Sequence, residues 1–186
     1  MRAWHFVGST LRNGDPVPKD GEKLIFPDEP ILCEQGLHAS LLPFDALRYA
    51  PGDILCLVEM GGRIIHGGDK LVATERTIIC RMDATKMLRY YARMQALSVA
   101  HLWDIPDVVL EYLMTGNGKL RGKAWAATKD ASRDIVGNAA WTAAWTAAGA
   151  ASHLLPFTLS RKDQGARKDF NALVYEAFSD WMEDAA

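Results

Sequence analysis

The 186-residue sequence lacks most of the motifs that identify a chemistry. Cysteine is scarce. Cys33, Cys56 and Cys80 are odd in number and widely spaced, with no Cys-x-x-Cys pair, so no disulfide framework or metal site is legible and reduced thiols in a cytoplasm are expected. No apolar run approaches the roughly 20 residues that span a bilayer. The run at residues 1–8 is too short for a signal peptide before it meets Ser9 and Thr10. Excess charge is nearly absent, 21 basic against 23 acidic residues for a net −2, which excludes a global footprint for nucleic acid or an anionic membrane. The phosphate-loop order Gly-x-x-x-x-Gly-Lys-Ser/Thr and the nucleophile elbow Gly-x-Ser-x-Gly are both missing. What is present, 49% hydrophobic and 24% charged residues, is the composition of a folded globular chain of one domain or a domain with a subdomain.

Residues 1–83 read as strands and turns. Segments 3–7, 23–26 and 36–40 carry short strand patterns, and Asn13-Gly14-Asp15-Pro16 is turn chemistry. Residues 43–49 suit a short helix, with Pro43 at its start, Asp45 early and Pro51-Gly52 behind it. Residues 53–60 form the strongest strand pattern, ended by Gly61-Gly62. Residues 63–66, ended by Gly67-Gly68, and the β-branched run 71–82 follow, so both glycine pairs read as hairpin turns.

Beyond Asp83 the periodicity turns helical. Met87, Leu88, Tyr91, Met94, Leu97 and Leu102 make one stripe, and a helix starting at Pro106 stops at Gly116-Asn117-Gly118. An alanine-rich stretch, 120–153, carries Trp125, Trp141 and Trp145; the last two stand four apart on one helix face, where at least one is expected to be buried. Residues 170–182 give a last amphipathic helix. The predicted class is α+β: a small curved N-terminal sheet with one short helix over 1–83, and a C-terminal helical bundle over 84–186, packed on the sheet or extending from it.

Separate blocks carry a resemblance. Trp4-His5-Phe6-Val7-Gly8, Cys33-Glu34-Gln35-Gly36-Leu37-His38-Ala39-Ser40, the run from Asp45 to Gly52, and Asp69-Lys70-Leu71-Val72-Ala73 together resemble an uncharacterised domain family of bacterial and phage-related proteins, over about residues 1–100. The resemblance implies no activity. The progression through Gly36–Ser40, Phe44–Ala50 and a strand ending at Val58-Glu59 is also similar to ADP-ribosyltransferase-like folds. That similarity implies a clamp for a nicotinamide dinucleotide from His5 and His38, with Asp69 orienting the ribose, although Asp stands where that family has Glu.

Each candidate has a plainer reading beside it. His5 and His38 on neighbouring strands would present N–H donors to phosphate or ribose oxygens, or would be satisfied structural histidines. Ser40 and Tyr49 join them as ligand-binding candidates, Ser40 alternatively capping the helix that follows it. Trp141 and Trp145 would contact a protein partner through an alanine and tryptophan face, or fill the helical core. Two function classes result. The first is a phage- or prophage-type protein-binding factor in the cytoplasm of a bacterial or infected cell, an inhibitor of a host defence or regulatory complex. The second is an ADP-ribosyltransferase-like or nucleotide-binding domain using NAD at His5, His38 and Asp69. Whether the chain is an enzyme stays open at this point; a membrane, a nucleic acid and a metal are not expected as partners.

Overall fold

Alternating apolar positions build a five-stranded antiparallel sheet in the computed structural model, which describes residues 1–131 and 164–180. The strands are β1 (Arg2–Val7), β2 (Lys23–Ile25), β3 (Leu37–Ala39), β4 (Ile54–His66) and β5 (Leu71–Asp83); helix α1 (Pro43–Leu47) lies between β3 and β4. Their order is β1-β4-β5-β2, and β3 also pairs with β5, beside its Leu71–Ala73 end. Trp4 and Ser40 then exchange two backbone hydrogen bonds, of 2.7 and 2.9 Å, so β1 meets the end of β3 and the sheet is drawn around on itself there.

One expected turn proves to be a bulge. Gly61-Gly62 does not end β4, which continues to His66 with a register shift between Gly61 and Ile64. Gly62 adopts a left-handed φ of 66°, and a Cβ there would stand 2.0 Å from the Thr74 hydroxyl, so glycine admits the extra residue without breaking the ladder. Gly67-Gly68 does make the hairpin turn, the Gly67 N–H donating to the Lys70 carbonyl at 2.8 Å.

Two compact units emerge. Met1–Thr85 forms a unit together with Arg167–Ala186, and Lys86–Ala166 forms the other. In the first, the described part of helix α5 (Gln164–Ala177) beyond Arg167 packs on the sheet instead of joining the helical half. Phe170 and Val174 on it and Phe178 just past its end, spaced four apart, are its buried apolar positions. Phe178 meets Trp4 edge-on at 5.0 Å between centroids, and Phe170 meets Phe44 at 6.3 Å. Arg167 pairs with the buried Asp45 at 2.6 Å. The Asn171 side chain accepts from the Phe44 N–H at 2.9 Å, satisfying an amide in the first turn of α1. The cap of α1 is therefore Asn171 and not Ser40; Leu42 stands at its N-cap position without a side-chain hydrogen bond.

In the second unit, α2 (Thr85–Ser98), α3 (Asp107–Thr115) and α4 (Arg121–Ala131) contribute Ala92, Ala96, Val109, Tyr112, Leu113 and Ala124 to one core. Gly116 ends α3 in the left-handed conformation with its N–H on the Tyr112 carbonyl at 2.8 Å, the stop its position predicts. Trp141 and Trp145 lie outside the described residues. No helix among the described residues is long and apolar enough to cross a membrane.

Candidate functional site

Strand register decides which candidates can meet. Residues directly opposite share a face and each step along a strand reverses it. The Trp4–Ser40 pairing therefore puts Trp4, Ser40 and His38 on one side of the sheet, and His5 with Ala39 on the other. Packing agrees: Ala39 shares a core with Ala3, Val7, Cys56, Val58 and Met60, which flank His5 or face it across β4. The two imidazoles point to opposite faces and form no common clamp.

His38 is engaged by backbone. Its Nδ1 lies 3.1 Å from the Gly36 carbonyl, which only accepts, and its Nε2 accepts from the Cys33 N–H at 3.1 Å. Both nitrogens are thereby used, in the neutral form protonated at Nδ1. Burial holds its pKa below the ordinary imidazole value against the raising effect of the Gly36 bond, with Lys70, Arg76 and Arg12 adding to the depression. Cys33, held by this bond, has a left-handed φ of 71°. The imidazole thus pins the 33–36 turn.

Asp69 is brought to two neighbours from another block. Arg48 approaches one carboxylate oxygen at 2.6 Å, and the Tyr49 hydroxyl lies 2.9 and 3.0 Å from the two oxygens. Lys70 sits 4.4 Å over the Tyr49 ring. Burial, and then the hydrogen bond to Asp69, push the Tyr49 hydroxyl above its ordinary pKa. Tyr49 is exposed and clasps the hairpin turn, whereas Ser40 is buried at 1% exposure.

The group that sequence reasoning missed is Arg76. It lies opposite Met60, on the face that carries His5 and Cys56, and is 6% exposed. Its Nη1 donates to the His38 carbonyl at 2.7 Å; its Nε, fully buried, has no partner among the described residues. Burial brings the guanidinium pKa down to about 10, so it stays charged at neutral pH. Beside it, His5 is depressed well below the ordinary imidazole value by burial first, then by Arg76 and by His38. The Cys56 thiol is pushed up to about 11 by burial and stays protonated. The face thus presents a fixed cation, a neutral imidazole and an unreactive thiol. The signal in the sequence was a cation in the middle of the β-branched run Leu71–Met82, whose other cation, Arg81, stands near its end.

The resembling blocks prove to be one assembly. Trp4 bonds Ser40, Arg48 and Tyr49 bond Asp69, a Cβ on Gly36 would lie 2.7 Å from the Val72 side chain, and one on Gly52 would lie 2.7 Å from the Gly8 Cα. Residues 1–90 match the model of a family described as Domain of unknown function (DUF7666). All of these blocks lie within that match, so the segment with a family likeness is also the segment whose parts interlock. No curated protein and no solved structure matches the chain. Among the described residues no three His, Cys, Asp or Glu side chains gather as metal ligands would.

Proposed function

We propose that the sheet unit is a binding module for a small anion, with Arg76 as the binding group and His5 as its neutral neighbour. The buried guanidinium with one hydrogen bond and an unpartnered Nε carries this reading. Burying a cation without a counter-charge costs several kcal/mol, and an orphaned buried donor calls for an explanation in bound ligand or solvent. Of the ADP-ribosyltransferase-like alternative, the geometry favours the anion-binding part. A dinucleotide clamp needs His38, whose nitrogens are occupied, and a ribose-orienting Asp69, whose carboxylate is held by Arg48 and Tyr49. Calorimetric titration with NAD, ADP-ribose, inorganic phosphate and benzoate, on wild type and Arg76→Gln, is the test. Saturable heat from at least one anion, lost in the variant, is the expected result; silence from all of them at millimolar concentration refutes the reading.

A second reading keeps the phage-type protein-binding factor, the inhibitor of a defence or regulatory complex. The observation favouring it is the exposure of Met114 and Trp125 on the helical unit, at 65% and 44%. A photo-crosslinking residue at position 125, introduced in the producing cell, should give one discrete adduct that competition with the unmodified chain removes. Absence of an adduct would end this reading.

A further inference from the structure

Resting on the anion-binding reading above, we infer that the occupant of the Arg76 site is a monoanionic carboxylate attached to an apolar body. Fork geometry is the first argument. Nη1 is spent on the His38 carbonyl, which leaves Nε and Nη2, the pair along the other side of the guanidinium, without partners among the described residues. Two parallel N–H groups in one plane match the two oxygens of a carboxylate.

Charge balance narrows the choice further. Arg76 brings one positive charge to this face, and its neighbour His5 is neutral near pH 7. Arg81, opposite Cys56, is already bonded to Asp20 and to the Pro18 carbonyl, and Lys70 lies over the Tyr49 ring. A monoanion is therefore neutralised in full, whereas a phosphate dianion would leave a charge uncompensated among Ala3, Val7, Ala39, Met60 and Ile78. The apolar residues of this face suit an apolar body as well, with Leu11 and Val17 partly buried against the same cluster.

The test uses the full-length chain labelled with nitrogen-15 and follows the Arg76 Nε–H resonance. Benzoate and hexanoate are titrated against benzamide, inorganic phosphate and NAD. Saturable movement of the resonance to lower field with both carboxylates, and at least tenfold weaker binding to Arg76→Lys, is the expected result. Movement with phosphate or NAD but not with the carboxylates overturns the carboxylate inference and leaves the anion-binding reading standing. Benzamide binding as tightly as benzoate overturns both, as does a resonance that no anion moves. The wild-type spectrum decides among these outcomes even if the Arg76→Lys chain fails to fold.

Discussion

Replacing Phe178 with alanine tests whether α5 is integral to the sheet unit. The ring is 2% exposed and stands edge-on to Trp4 at 5.0 Å. A fully buried Phe cut to Ala costs about 3–5 kcal/mol, of which the aromatic pair accounts for about 0.5–1.5. Phe178→Leu retains most of the volume and loses the pair, so about 1–1.5 kcal/mol is expected there. Tyr175, tilted against the same Trp4 at 6.0 Å but 36% exposed, sets the scale for a contact that water reaches, and Tyr175→Ala should cost about 1 kcal/mol. Urea unfolding followed by circular dichroism gives each value. Because Phe178 belongs with the sheet and not with Lys86–Ala166, only the transition of the sheet unit should move if the two unfold separately. A Phe178→Ala cost under about 1 kcal/mol, equal to that of Tyr175→Ala, would refute the docking of α5.

Further outcomes follow from single contacts. Asn171→Leu strips the acceptor from the Phe44 N–H and should cost about 1–3 kcal/mol by thermal or urea melts. Gly52→Ala forces a Cβ to 2.8 Å from the Val7 carbonyl oxygen, backbone against backbone, and should destabilise by about 1–3 kcal/mol with no change in the helical unit. His5 and His38 both sit below the ordinary imidazole pKa of 6.5 in the folded chain. The unfolded chain therefore takes up protons first, and stability that is full above that pH falls as pH drops through it toward the folded values. His5 contributes a slope of at most about 1.4 kcal/mol per pH unit. Urea midpoints between pH 7.5 and 5, roughly spanning the imidazole range, should show this slope reduced in His5→Ala.

Local pattern carried the sheet and failed where tertiary contacts decide. The strand patterns of β1 and β3, the β-branched run of β5 and the stop at Gly116 were legible because each depends on its own few residues. Gly61-Gly62 misled because a pair of glycines serves a bulge inside a strand as readily as a turn after it, and only the partner Thr74 distinguishes them. The cap of α1 comes from Asn171, far along the chain, so nothing near Pro43 could reveal it. His38 drew attention as a chemical group, yet its duty is set by the carbonyl of Gly36 and the amide of Cys33, which no spacing rule encodes. Arg76 passed unnoticed because a charged residue in a strand is ordinarily solvent-facing. Its significance comes from register, which places it opposite Met60.

Assembly of the sheet unit from Met1–Thr85 and Arg167–Ala186 sets the order of events on a ribosome. The first stretch emerges with Trp4 and Phe44 unable to meet Phe178 and Phe170, whose codons are read only after those of Lys86–Ala166. Helices α2, α3 and α4, of which α3 and α4 pair locally, are free to form earlier. The nascent chain thus passes through a stage in which helices α2 to α4 are made while the sheet unit is incomplete and its aromatic rings are bare. That interval, closed only by the arrival of α5, is when chaperones compete with aggregation for the chain.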